Sequence, residues 1–375
     1  MRLLLLTDRS AATREHAMLR RLEIGLVDEG CRVVRVAPEG ASIEPATGLA
    51  GALSYPDAAW RVGPFSPARA IERALSQLQA FASDDDERSV DVIHVLGHSA
   101  WSLALALAEL TGADLVFEVP SRPALSEVQA TERRAAAPCS AVWLAPDESM
   151  RSAVERLARR WPVRTGWWGV HVPPIESVSV RRSLPIESMC VLSSGDEPSA
   201  VMKLLSALAR TPGIPVEPMI FLDARAVERH PEVWRHANAL KLLPRLTVIS
   251  NIESQRELVL RVDAMIQADC RGEHASLVLE AMASAMPVVS RADRLISIAS
   301  DPSIAILVEE PSEQGWARAL TALLGSVADS QALGLAARRY IQTNRLAHVQ
   351  VRAALDAYAQ FMEPAPIPMR PGRGG

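Results

Sequence analysis

The sequence predicts an α/β protein of two doubly wound domains, each a parallel sheet covered by helices, with the C-terminal ends of both sets of strands facing one cleft. Three observations predict it. Short apolar runs of strand length alternate with amphipathic stretches along most of the chain. One polar stretch, Ser177–Pro185 with Arg181 and Arg182 side by side, interrupts the alternation. And 375 residues are more than one ordinary core organises.

The elements follow in order. Residues 2–7 (RLLLLT) form a short apolar run, the pattern of a strand buried on both faces. A polar loop, Asp8–Thr13, leads into Arg14–Glu29, where Met18, Leu19, Leu22, Leu26 and Val27 make a helical stripe. Gly30 stands where a helix end needs positive φ, and residues 32–37 (RVVRVA) predict the second strand. Strand, helix and strand in so short a span make a βαβ unit, which requires parallel pairing. Strands are predicted again at Val90–Leu96, Asp114–Val119, Ala141–Leu144 and within Pro162–Val172, with helices at Trp101–Thr111 and Glu148–Arg160. The second series has strands at Met189–Leu192, Pro218–Leu222, Leu246–Ile249, Ala264–Gln267, Pro287–Val289 and Ile304–Val308. Its helices are Ser199–Arg210, Val227–Ala239, Ser254–Val262, Ser276–Ser284, Gln314–Leu324, Ser330–Asn344 and Leu346–Met362. The predicted organisation is a first domain over 1–176, a linker over 177–186, a second domain over 187–345, a closing helix over 346–362 and a disordered Pro/Gly-rich tail over 363–375.

Composition narrows the function. A formal net charge of −4 gives no electrostatic footprint for nucleic acid. Cys31, Cys139, Cys190 and Cys270 stand singly, which disfavours a zinc site or a disulfide framework. The N-terminal leucine run is too short for a signal peptide, and no stretch of 18 apolar residues occurs, so the expected location is cytoplasmic with at most peripheral membrane contact. Asp84–Asp86 precedes a strand in a polar run and reads as a solvated loop, not a metal site. No P-loop, G-x-G-x-x-G or Ser-His-Asp order supports a kinase, dehydrogenase or hydrolase.

In open parallel sheets, ligands bind beyond the C-terminal ends of the strands. Of the loops there, ADCRGEHA before the Ser276 helix is the most informative. Free amides at that helix start suit a phosphate. Glu280 lies at i+4 from Ser276 on the same face, where a carboxylate can take two ribose hydroxyls.

GEHASLVLEAMASAMPVV (272–289) resembles the signature segment of family-4-type retaining glycosyltransferases, in which a glutamate-rich loop precedes a helix L-V-L-L-E-A-M-A and a strand P-V-V. DVIHVLGHSAWSLALALAELTGADLVFEV, TGWWGVHVP, ELVLRVDAMIQAD and LAHVQVRAALDAYAQFM resemble further segments of that family. The resemblance implies the GT-B architecture: two Rossmann-like domains with parallel sheets facing a central cleft, and a C-terminal helix crossing back to the first domain. It implies that Glu280 holds the nucleotide ribose and that the Ser276 and Leu277 amides bind the diphosphate of a UDP- or GDP-sugar. No metal or other cofactor is expected, and the acceptor would be a glycan, a lipid-linked or a small molecule. Catalytic candidates are Glu273 and His98; Ser194, Gly195 and Lys203 are further donor-binding candidates.

The departures are as specific. The family's first glutamate falls on Gly272, one residue before Glu273. The glycine usually found before the P-V-V strand is Ala285. Its diphosphate-neutralising Arg and Lys, in G-R-x-x-x-x-K-G, fall on Ser194 and Ser199 of SSGDEPSA, with Lys203 one turn on. Losing two charge-assisted phosphate contacts costs roughly 3–5 kcal/mol. DRSAATRE replaces the glycine-rich acceptor loop, and FEVPSR stands where a catalytic-type histidine is expected. Two functions therefore compete: a metal-independent glycosyltransferase, and a catalytically degenerate GT-B protein that binds a nucleotide, glycan or protein.

Overall fold

The computed structural model describes residues 1–41, 51–56, 67–81, 90–136, 139–175, 185–211, 217–269 and 272–362. Most of the predicted linker, Asp84–Asp86, Cys270 and the predicted tail lie outside them.

The first sheet contains β1 (Arg2–Thr7), β2 (Arg32–Pro38), β3 (Gly51–Tyr55), β4 (Val92–Leu96), β5 (Asp114–Glu118), β6 (Ala141–Ala145) and β7 (Val163–Thr165). The second contains β8 (Ser188–Leu192), β9 (Met219–Asp223), β10 (Leu246–Ile249), β11 (Ala264–Gln267), β12 (Val288–Arg291) and β13 (Ile306–Val308). All pairs are parallel, in the orders β3-β2-β1-β4-β5-β6-β7 and β10-β9-β8-β11-β12-β13. Counted from its own first strand, each sheet runs 3-2-1-4-5-6, the doubly wound Rossmann order, with β7 added at one edge. The predicted fold class is therefore the observed one.

Burial explains why the apolar runs are strands. Leu3–Leu6 of β1 are at most 1% exposed, because helices cover both faces of the sheet. One face packs Trp101, Phe117, Trp143 and Trp161 into an aromatic cluster. The other packs Leu3, Leu5 and Val33 against Leu22 and Leu26 of helix His16–Asp28, and against Ala354 and Tyr358 of helix Ala347–Met362. That last helix thus returns to the first domain. A further cluster crosses between the domains: Met18, Leu19, Leu96 and Trp168 meet Leu192, Leu277 and Leu279.

Several elements differ from the sequence expectation. Strand β3 has no apolar run, since an edge strand needs to bury only one side. Helix Pro67–Phe81 was not predicted, and neither was Arg122–Arg134, which is mostly polar and buries only a narrow stripe with Ala124 and Val128. The helix expected over Val227–Ala239 is two, Arg225–Glu228 and Pro231–Ala239, because Pro231 has no N–H to continue the first. The helix expected over Ser254–Val262 shortens to Arg256–Val259. Among the described residues no single helix is long and apolar enough to cross a membrane.

Ala285 ends the signature helix at φ 53, the left-handed region. The position keeps the conformation glycine would favour, and it presses its carbonyl against Gly334, where a Cβ would collide with it. Ala285→Gly is expected to stabilise the protein by about 0.5–1 kcal/mol. Urea unfolding checks this; a loss of stability would mean that the buried methyl outweighs the backbone relief.

Candidate functional site

Each sheet has a switch point between its first and fourth strands, and the two switch points open onto one cleft of about 1350 Å³. An aspartate ties the loops together at each. After β1, the Asp8 carboxylate accepts from the Ala11 amide (2.8 Å), capping helix Arg9–Arg14, and from the Ser99 amide beyond β4 (3.3 Å). Gly97 approaches so closely, at φ 101, that a Cβ would run into that carboxylate. Across the cleft, Asp269 after β11 accepts from Ser193 Oγ (3.0 Å), Ser194 N (2.9 Å) and Ser194 Oγ (2.7 Å) after β8.

Five of the predicted residues line the cleft: His98, Ser194, Gly195, Glu273 and Leu277. His98 sits in the turn after β4, its ring edge-on to Trp101. Gly272 takes φ 68, and the next residue, Glu273, faces the cleft and pairs with Arg14 of the first domain. Ser194 spends its hydroxyl on Asp269. Against expectation, Lys203 is exposed and is not among the cleft-lining residues.

Ser276 and Glu280 are buried and likewise are not among the lining residues. Side chains hold both, and two of these come from the first domain. The Ser276 amide, at the start of helix Ser276–Ala283, donates to the carboxylate of Glu15 (3.2 Å). Glu280 pairs with Arg21 of helix His16–Asp28 and with Arg256, whose Nε lies 2.5 Å from Oε2. Arg256 also donates to Glu253 (2.6 Å) and reaches Ser276 Oγ (3.4 Å). The predicted phosphate and ribose positions therefore carry a carboxylate and a guanidinium of the protein itself. Burial pushes the Glu15 carboxyl up, against the hydrogen bonds from Ser276 and the charges of Arg14 and Arg256. Burial also raises Glu253, to about 7, with the neighbouring Glu15 and Glu280 adding to it and Arg256 opposing it.

A second bridge between the domains joins His274 to Asp147. His274 follows Glu273, and its ring nitrogens lie 2.9 Å from Asp147 Oδ2 and 3.0 Å from the Pro120 carbonyl. Both partners are oxygen acceptors. Asp147 also caps helix Glu148–Leu157 and takes the Ser297 amide at 2.7 Å.

Sequence reasoning missed two groups in this cleft. Glu118 ends β5 and lies inside FEVPSR, the segment where a catalytic-type histidine was expected. It is 2% exposed, lines the cleft, and accepts from Trp168 Nε1 (2.5 Å) and His94 Nε2 (3.2 Å). His94 in turn meets Tyr358 Oη of the returning helix at 2.6 Å. The second group is Arg225 and Arg229, which line the second domain's side. An apolar strand ending in a carboxylate, DLVFE, was a readable sign of Glu118; the loop Asp223–Ala226 lies among those expected at the strand ends, but nothing in the local sequence singles out Arg225 or Arg229.

No family model and no curated protein matches the chain. Solved structures do. A sucrose-phosphate synthase from Thermosynechococcus elongatus is 13% identical, with 96% of this chain and 99% of that one covered and a TM-score of 0.74. The Anabaena protein HepE, determined with UDP and glucose, is 11% identical over 96% and 100% of the two chains, TM-score 0.69. WaaG, a glycosyltransferase involved in lipopolysaccharide biosynthesis, is 15% identical over 94% and 98%, TM-score 0.63. The likeness shows the fold: this chain has the two-domain Rossmann-like GT-B architecture.

Proposed function

We propose that the protein transfers a glycosyl group from a nucleoside diphosphate sugar to a hydroxyl-bearing glycan or small molecule. The observation that carries this reading is the cleft of about 1350 Å³ onto which both switch points open, lined by residues of both domains. The fold agrees with it, and HepE of the same fold was determined with UDP and with UDP-glucose. The donor would lie along the second sheet, its diphosphate near Ser194, Gly195 and Leu277; the acceptor would lie against His98 and Glu118 on the first. Glu273, between the two, is the nearest counterpart of the family's first glutamate. In this reading guanidinium groups would stabilise the leaving diphosphate, and no metal ion is called for.

In this reading Arg21 keeps the place of the ribose on Glu280 until the donor enters. Two variants should then move nucleotide affinity in opposite directions. Arg21→Ala frees one side of the carboxylate and is expected to tighten UDP or GDP binding several-fold. Glu280→Gln removes a charged acceptor and is expected to weaken it by about tenfold, the scale of one charge-assisted hydrogen bond. Calorimetric titration with UDP, GDP and their sugars, in a chelator, measures both. No saturable binding of any of them at millimolar concentration would overturn the glycosyltransferase reading and leave the degenerate binding protein.

A further inference from the structure

Ser194 and Ser199 leave the loop after β8 without the cations a diphosphate needs, and Lys203 does not reach the cleft. The structure brings a cation to the same place from another loop. Arg225 follows β9, and its turn is locked onto the loop after β8. Gly195 takes φ 80 there, and a Cβ on it would lie 2.9 Å from the Arg225 carbonyl. His230 Nε2 holds the Gly195 carbonyl at 2.8 Å from the other side.

The guanidinium is aimed and only partly used. Its Nε and Nη2 donate to Asp223 at 3.1 and 2.7 Å, which fixes the plane of the group. Its Nη1 lies 3.5 Å from the Ser194 carbonyl and 3.9 Å from Glu273 Oε1, both beyond a normal hydrogen bond. That edge points between the loop after β8 and the loop after β11, the two sides of the second switch point. Arg229, one turn on, is exposed and lines the same wall.

We propose that Arg225, with Arg229 beside it, binds the donor diphosphate in place of the missing Arg/Lys pair. The inference rests on the donor reading above and names the groups that would hold its charged part. A diphosphate oxygen on Nη1 would replace the two long contacts with one short charge-assisted bond and leave the Asp223 clamp intact.

The test is calorimetry on the full chain with UDP and GDP, and with uridine and guanosine, which carry the base and ribose without phosphate. Arg225→Ala is expected to weaken diphosphate binding 10–100-fold and Arg229→Ala about 3–10-fold, with nucleoside binding and melting temperature little changed in Arg229→Ala. Arg225→Lys keeps the charge against Asp223 and should retain part of the affinity, so the arginine can be tested even where the alanine variant folds poorly. UDP and GDP binding as in the wild type in all three variants would overturn the proposal and leave the donor reading standing. Equal loss for nucleosides and nucleoside diphosphates would overturn it too, because a structural role for Arg225 predicts that. Failure of the wild type to bind any of the probes would overturn the donor reading itself.

Discussion

Arg256→Met is expected to destabilise the protein by about 3–5 kcal/mol at pH 8, and by much less at pH 5. Arg256 is the shared cation of a buried acidic cluster: it pairs with Glu280 at 2.5 Å and Glu253 at 2.6 Å, with side-chain exposures of 12%, 11% and 10% for the three. Methionine keeps much of the apolar stem and removes the charge, so Glu253 loses the cation that opposes its desolvation. The pH dependence follows from the direction of that shift. The Glu253 carboxyl is raised from 4.5 to about 7 in the folded protein. A group raised in this way contributes stability that is fully present below its unfolded value and is lost as pH rises through the folded one. Without Arg256 the value climbs further, so the variant's deficit grows between pH 5 and pH 8. Urea unfolding at the two pH values measures it. An equal deficit at both would mean that Arg256 acts through packing alone.

The fold was legible because its strands are buried on both faces. RLLLLT, VIHVL and AMIQ advertise themselves as runs with almost no polar interruption, and their spacing requires crossover helices. The losses at Ser194 and Ser199 were equally legible, since they fall inside a motif of fixed spacing. What replaced them was not. Arg225 reaches the Ser194 loop across 31 residues, and Arg21 reaches Glu280 across 259. No periodicity encodes which face of one domain meets which loop of the other. The same limit hid Glu15. At the sequence level it is the last residue of DRSAATRE; only the packing of the two domains places its carboxylate on the Ser276 amide. Glu273, His274, Ala275 and Leu277 of GEHASLVLEAMASAMPVV line the cleft, while the partners of its two most informative residues depended on tertiary structure.

Asp147→Asn is expected to cost about 3–5 kcal/mol at pH 7, because the side chain is 1% exposed and receives four donors or cations, each from a different part of the chain. Oδ1 accepts from the Met150 amide at 2.9 Å; Oδ2 accepts from the Ser297 amide at 2.7 Å and His274 at 2.9 Å, with Arg345 at 3.7 Å. An asparagine oriented to keep the Met150 cap would turn its NH2 toward three donors; flipped, it would lose the cap. Burial by itself would raise the Asp147 carboxyl, but the charge and hydrogen bond of His274 and the amides of Met150 and Ser297 hold it well below the usual carboxylate range. A carboxylate depressed in this way contributes stability that is complete above its unfolded value of 3.8 and declines as pH falls toward the folded one. The gap between wild type and variant should therefore be constant from pH 5 upward with respect to Asp147 and should narrow below pH 4. Since Asp147 caps helix Glu148–Leu157 of the first domain and His274 belongs to the loop entering the signature helix, the variant should also loosen the contact between the domains. Amide exchange at Glu273–Leu277 is expected to speed up more than exchange in β5, which is buried within the first domain. Uniform acceleration in both segments would instead assign Asp147 a role in the first domain's own stability, through its helix cap.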